Sequence, residues 1–296
     1  MQSLVVNPLQ CAFRRSLATP QKKNLVAALS YSAEHLDSIQ VGLPHEDFPN
    51  RFGKGRLNNG SFGGTPVPVQ RYQLKWKSQW DAYPDSYYFS GKLHGDVEDA
   101  ANACADILGT PQQESLLVEN ASVGAVIVAQ RWMWKFVEQK VKPGDAILMF
   151  NFGYLACKKI LEAYCVRAGA QLVFVELPFP FTMEASEVVS AVEDTIKNFN
   201  ATSNGNSVRF AMLDHISSQP AIKMPIKECV AACRANGVEE VAIDGAHSVG
   251  SIANLDIPSL DGDFFFSNLH KWGLSPHCAT FFHAKVCHCA AVEQLA

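Results

Sequence analysis

From about residue 111 onward, short apolar runs alternate with longer segments in which apolar residues recur every three or four positions. The short runs predict buried β-strands, and the longer periodic segments predict amphipathic α-helices. The predicted strands cover residues 116–119, 146–150, 171–176, 207–213, 240–243, 263–267 and 279–283. The predicted helices cover residues 96–108, 122–139, 154–168, 185–198 and 226–235. Strands that alternate with helices predict an α/β fold, with a mostly parallel sheet covered by helices on both faces.

The first 110 residues follow a less regular pattern, and we divide the chain on that basis. Residues 1–49 form a predicted leader or N-terminal arm, residues 50–285 the α/β domain, and residues 286–296 a short tail. Several basic residues precede Glu34, which is the first acidic residue. That composition fits either an organelle transit peptide or a leader without structure. The predicted location is therefore the cytoplasm, or a mitochondrion or plastid if the leader is a transit peptide.

Composition narrows the classes of function. The chain is 48% apolar with a formal net charge of −4, and no basic stripe indicates a nucleic-acid partner. No apolar stretch approaches the roughly 20 residues that a membrane span needs. The scattered cysteines are typical of a reducing compartment. Histidines and cysteines that crowd together near the C-terminus match no paired zinc spacing, so no metal site is predicted.

Two predicted strands end at ionisable residues. One apolar run stops at Asp244, with His247 three residues later, and another stops shortly before Lys271. In parallel sheets, ligands bind at the carboxyl ends of the strands. A carboxylate and a lysine in that position suit pyridoxal phosphate (PLP), with the acid on the ring nitrogen and the amine as a Schiff base. Simpler alternatives are a turn-capping aspartate, a partly buried histidine and a surface lysine.

A phosphate seat is predicted where strand 116–119 leads into the next helix. Ala121 and Val123 would offer backbone N–H groups there, and Ser122 a hydroxyl, because helix N-termini attract anions. Ser267 and His270 would complete the seat from the lysine side. An ordinary N-cap without a ligand explains the serine equally well.

Two further candidates follow other predicted strands. Tyr154, or in second place Phe152, would stack on the cofactor ring, although core packing is an equal alternative. Ser218 would contact the ring oxygen, and His215 near it is interpreted as structural.

Taken together, several segments resemble the class V aminotransferase family of fold type I PLP enzymes, in its isopenicillin N epimerase-like and plant cysteine desulfhydrase-like branch. The segments that carry the resemblance are Leu57–Gly63, Val118–Ser122, Asp214–Ser218, Asp244–His247 and Asn268–Trp272. The resemblance covers about residues 50–285. It implies the large domain of the PLP-dependent transferase fold, with the small C-terminal domain of that family largely missing.

The resemblance also implies roles for individual residues. Lys271 would bind the cofactor aldehyde, Asp244 the pyridinium nitrogen, and His247 the ring hydroxyl. The arm formed by Asn59, Gly60 and Ser61 would border the substrate.

The leading functional hypothesis is a PLP enzyme that acts on a small-molecule amino acid, as a homodimer if the fold is complete. β-Elimination from a cysteine-like substrate is the first choice of reaction, and epimerisation or transamination the second. The rival hypothesis is a truncated, non-catalytic paralogue that binds PLP or a partner without turnover.

Overall fold

The computed structural model describes residues 58–178 and 184–285, and the predicted leader (1–49) and tail (286–296) lie outside these ranges. The helices are α1 Val67–Ala82, α2 Pro84–Phe89, α3 Lys92–Leu108, α4 Ala121–Val137, α5 Leu155–Tyr164, α6 Ala185–Thr202 and α7 Ile226–Ala235. The strands are β1 Ser115–Val118, β2 Ala146–Phe150, β3 Gln171–Val175, β4 Val208–Asp214, β5 Glu240–Asp244, β6 Phe264–Asn268 and β7 Thr280–Ala284.

The strands form one sheet in the order β1-β7-β6-β5-β4-β2-β3. Strands β3, β2, β4, β5 and β6 pair in parallel, whereas β7 runs antiparallel to both β1 and β6. This mostly parallel sheet with helices confirms the predicted α/β class. The predicted strands agree with the observed ones to within one residue at each end.

Helices α1 and α2 occupy a region in which the sequence pattern predicted no regular structure. Helix α1 buries none of its residues in this chain, so it has no apolar stripe for a periodicity argument to detect. Prolines also occur in the first turn of both helices. Proline is favoured there because the N–H groups of that turn have no partner within the helix. In a sequence, however, proline is more often taken to indicate a loop.

Two layers of apolar side chains cover the sheet. Helices α3, α6 and α7 pack on one face, and α4 and α5 pack on the other. The phenylalanine run of β6 serves both layers, because Phe265 faces the first and Phe264 and Phe266 face the second. Burial of each such ring contributes about 1.5–3 kcal/mol. This run therefore fixes the register of β6, and with it the direction of every side chain near its end.

Helix α4 lies unusually close to the sheet. A Cβ added at Gly124 would lie 3.0 Å from Phe266 Cβ, which only glycine avoids. Further along the helix, Glu240 of β5 accepts hydrogen bonds from Arg131 (2.8 Å), Lys135 (2.6 Å) and Trp132 Nε1 (2.9 Å). Burial would raise the pKa of Glu240, but the Arg131 and Lys135 cations bring it below its ordinary value. The helix N-terminus is thereby held beside the carboxyl ends of β5 and β6.

Candidate active site

Asp244 ends β5 and is almost completely buried, with 4% of its surface exposed. Its Oδ1 accepts the Ala246 N–H at 2.9 Å, and its Oδ2 accepts the thiol proton of Cys157 at 3.3 Å. Burial raises the pKa of Asp244, although these two donors and the charge of Lys271 act in the opposite direction. The result is a fixed, desolvated acid whose charged form depends on a nearby cation.

Lys271 and His247 are in direct contact, because Lys271 Nζ lies 3.1 Å from His247 Nε2. Burial lowers the pKa of Lys271, and the charge of Asp244 only partly opposes that effect. Burial, and then the Lys271 charge, lower the pKa of His247 to about 4. The imidazole is therefore neutral at physiological pH and shares a hydrogen bond with the amine. A lysine held in this way is closer to its nucleophilic free-amine form than a surface lysine.

The predicted arm lies against this pair. A Cβ added at Gly60 would lie 3.3 Å from His247 Cε1 and 3.5 Å from Trp272 Cζ2. Asn59 is half-buried beside it, and Ser61 is exposed. The structure therefore places the arm at the same site as the lysine, which is where the sequence located it.

Gly63 joins the arm to the lysine turn. Its N–H donates to the His270 carbonyl oxygen at 2.9 Å, and a Cβ at this position would overlap the carbonyl oxygen of Lys271. We expect Gly63→Ala to lower the free energy of unfolding by about 3 kcal/mol, since backbone cannot move aside as a side chain can. Urea unfolding measures this change. Gly95→Ala is the matched control, because Gly95 lies within α3 with no atom close to an added Cβ, and its substitution should be neutral or stabilising.

The N-terminus of α4 is tied to β6 by a residue that the sequence argument missed. The Asn268 side-chain oxygen accepts the Ala121 N–H at 2.9 Å and the Thr280 hydroxyl at 2.7 Å. The Val123 N–H donates to the Asn120 side chain at 3.0 Å, and Ser122 between them is half-buried. Two of the three predicted seat residues thus already donate their N–H groups within the protein.

Ser267 does not reach this helix terminus. Side chains alternate along a strand, so Ser267 shares the face of Phe265, opposite α4. Its hydroxyl accepts the Val249 N–H at 3.1 Å. The prediction of Ser267 as a phosphate ligand is corrected accordingly, and Asn268 occupies the place beside the helix. Because side chains alternate along a strand, residue 268 shares the face of Phe266, and this alternation could have identified Asn268 from the sequence.

His270 is buried directly before the lysine. Its Nδ1 lies 3.2 Å from the Ala279 carbonyl oxygen, which makes Nδ1 the donor. Burial is the main reason that its pKa is lowered. The His270 imidazole is therefore neutral. Its Nδ1 already donates a hydrogen bond, so Nε2 is the second polar atom of the ring.

The remaining predicted residues lie after β2 and β4. Tyr154 precedes α5 with 45% of its surface exposed, while Phe152 stacks on Phe150 with ring centroids 5.3 Å apart. Phe152 is therefore committed to packing, which leaves Tyr154 as the aromatic candidate. Ser218 is half-buried, next to the cis peptide between Gln219 and Pro220.

His215 links β4 to β5. Its N–H donates to the Asp244 carbonyl oxygen at 2.8 Å, and its Nδ1 lies 3.1 Å from Ser248 Oγ. Burial, and then the Lys223 charge, lower its pKa to about 4. His215 is therefore neutral, and its contacts with Asp244 and Ser248 support the backbone that carries Asp244.

Within residues 58–178 and 184–285, no three histidine, cysteine or acidic side chains are grouped for metal binding. Cys287, His288 and Cys289 lie outside these ranges. The helices in the described part of the chain include none that is long and apolar enough to cross a membrane.

Comparison with known proteins adds independent information. The family model for class V aminotransferases matches residues 69–281. An L-cysteine desulfhydrase from Arabidopsis thaliana is 37% identical over 267 residues, which are 90% of this chain and 56% of that protein. A second Arabidopsis thaliana relative, named "Probable L-cysteine desulfhydrase, chloroplastic", is 35% identical over 231 residues, or 78% and 48% of the two chains. The chain thus spans about half the length of these curated relatives.

Solved structures give the same fold. A lysine-to-alanine mutant of C-DES, with glycine covalently linked to its PLP cofactor, superposes with a TM-score of 0.71 at 19% identity. The superposition covers 84% of this chain and 61% of that one. The family resemblance inferred from the motifs is confirmed by the matched model, which spans most of the described residues. The chain belongs to the class V aminotransferase family.

Proposed function

We propose that this chain is the PLP-binding part of a lyase that releases sulfide from L-cysteine by β-elimination. The observation that carries the proposal is the contact between the half-buried Lys271 amine and a neutral His247, beside the buried acid Asp244. The names of the two Arabidopsis thaliana relatives support the choice of reaction. Epimerisation and transamination use the same lysine and acid, and no relative reported above favours them.

The donor set fits PLP. The buried Asp244 carboxylate needs a cationic partner, which a protonated pyridine nitrogen supplies. The α4 N-terminus has Ser122 at its second position, and Asn268 orients its amide from the β6 side. When bound, the cofactor withdraws electrons from the substrate Cα. Ser122, Asn268 and His270 would hold the phosphate, Tyr154 the ring face, and His247 and Ser218 the ring oxygen.

Lys271 would act in two ways. It would hold the cofactor aldehyde, and its free Nζ would accept the Cα proton of the substrate. The Cβ–S bond breaks and its electron pair leaves with sulfur as hydrosulfide. The remaining 2-aminoacrylate hydrolyses to pyruvate and ammonium. Asn59, Gly60 and Ser61 would border the substrate during these steps.

Sulfide release tests the proposal directly. Purified 296-residue chain supplied with PLP should show visible cofactor absorbance and should release sulfide and pyruvate from L-cysteine in equal amounts. L-Serine should give far less pyruvate, because hydroxide is a poorer leaving group than hydrosulfide. Bound cofactor without any sulfide release would instead support the rival hypothesis of cofactor binding without turnover.

A homodimer is the proposed assembly. Aromatic and aliphatic side chains of α1 and α2 and of the turn between them are exposed, namely Tyr72, Leu74, Tyr83, Tyr88 and Phe89. Several large apolar side chains exposed on neighbouring helices are typical of an interface. We expect sedimentation at the dimer mass, and we expect Leu74→Glu with Phe89→Glu to yield a monomer. Val166→Glu, at an exposed site after α5, should leave the dimer intact, and a monomeric parent chain would contradict the proposal.

The basic leader is proposed to be a plastid transit peptide, in line with the chloroplastic relative. Residues 1–49 fused to a fluorescent protein should direct it to plastids. Diffuse cytoplasmic fluorescence would contradict this location.

A further inference from the structure

Asp214 is a second buried acid directly beside Asp244. The two residues are register partners at the ends of the parallel strands β4 and β5. Register partners on parallel strands project to the same face of the sheet. Only 5% of Asp214 and 4% of Asp244 is exposed. Two carboxyl groups therefore share one desolvated space, and the proposed function uses only one of them.

The surroundings of the two acids differ. The turn after β2 covers Asp214 so closely that a Cβ added at Gly153 would lie 3.2 Å from Asp214 Oδ2. Asp244 accepts the Cys157 thiol and the Ala246 N–H, and it differs from Asp214 in that the charge of Lys271 also acts on it. The backbone N–H groups of Tyr154 and of Asp214 itself donate to the Asp214 carboxyl group and favour its anion, whereas the charged group that acts on Asp214 is Asp244 and disfavours it.

Negative charges on two adjacent, buried carboxyl groups repel one another. One acid of such a pair therefore keeps its proton. The titratable groups that face the pair are Cys157 from α5 and Lys271 beyond β6. Burial, and then the two acids, raise the pKa of Cys157 well above its ordinary value, so the thiol stays neutral. The one nearby cation, among the groups described as acting on this pair, favours the anion on Asp244.

We infer that Asp214 is a positioning residue that stays protonated beside Asp244, so that the pair carries one negative charge and that charge resides on Asp244. Burial, and then the Asp244 charge, raise the pKa of Asp214 well above its ordinary value, in agreement with this assignment. The consequence for catalysis rests on the proposed function, because a single anion at a fixed place is what a pyridinium nitrogen requires. The protonation of Asp214 itself does not depend on the cofactor.

Thermal unfolding of the cofactor-free chain between pH 4 and pH 8 tests the inference. An acid whose folded-state pKa is raised lowers stability as pH rises above its unfolded value of about 3.9. Asp214→Asn removes that penalty without changing the shape of the side chain. We expect equal unfolding midpoints at pH 4, and a midpoint about 3–5 °C higher for the variant at pH 8.

Asp145→Asn is the matched control. Asp145 is also buried, at the opposite end of the sheet, but its carboxylate accepts the Ser207 N–H at 2.8 Å and the Lys142 N–H at 3.2 Å. This variant should be less stable than the parent at pH 8. An Asp214→Asn chain that behaves in the same way would overturn the inference, because Asp214 would then be stabilising as an anion.

Infrared spectroscopy gives a second measurement that requires no folded variant. The parent chain at pH 7 should show the carbonyl band of a protonated carboxylic acid, and absence of that band would also overturn the inference. Titration with PLP separates the two proposals. If the parent chain binds no PLP, the proposed function fails, while the unfolding profile still decides where the proton of the pair resides.

Discussion

Replacement of Lys271 by alanine should abolish sulfide release, with turnover lowered at least about 1000-fold. The variant loses both the amine that holds the cofactor and the base that accepts the Cα proton, and His247 loses its contact at 3.1 Å. Lys271→Arg should fail nearly as badly, because a guanidinium keeps its proton and cannot act as nucleophile or base. Initial rates of sulfide formation from L-cysteine measure both effects.

The control for this experiment is Lys197→Ala on α6, where the exposed lysine forms an ion pair with Glu193. Its rate should equal that of the parent chain. A Lys271→Ala chain that retained a tenth or more of the parent rate would assign the chemistry to another residue.

Asp244→Asn is expected to weaken PLP binding by about 30-fold or more and to slow turnover at least about 100-fold. Asparagine can still accept the Ala246 N–H through its side-chain oxygen, so the local fold should persist. The lost element is the buried charge that pairs with the ring nitrogen. Cofactor titration followed by tryptophan fluorescence measures the affinity, and Trp272 lies within the site as a reporter.

An exposed aspartate provides the comparison for this variant. Asp81 on α1 pairs with Lys77 at the surface, and Asp81→Asn should leave both affinity and turnover unchanged. Equal PLP affinity for the parent chain and Asp244→Asn would show that the carboxylate is not the partner of the ring.

The fold was predictable from the sequence wherever burial set the pattern. The apolar runs of β2, β4, β5 and β6 are buried along nearly their whole length, so hydrophobicity alone marked their ends to within one residue. The outer helix α1 escaped detection because its residues are not buried against the sheet.

Parts of the site were predictable for a related reason. The ends of buried strands meet at one edge of a parallel sheet, which was enough to bring Asp244 and Lys271 into one site. The prediction of Ser267 was wrong by one position along β6. A shift of one residue along a strand places the side chain on the opposite face of the sheet. Cys157 and Asp214 were missed as partners of Asp244 because their proximity arises only when α5 and β4 pack beside β5.

The covalent attachment of PLP to Lys271 is the central claim, and reductive trapping tests it most directly. Chain incubated with PLP and then reduced with borohydride should gain one pyridoxyl group, and peptide mapping should locate it on Lys271. The Lys271→Ala chain should gain none at the site. A stoichiometric adduct on another lysine of the parent chain, or one that persists in Lys271→Ala, would contradict the account.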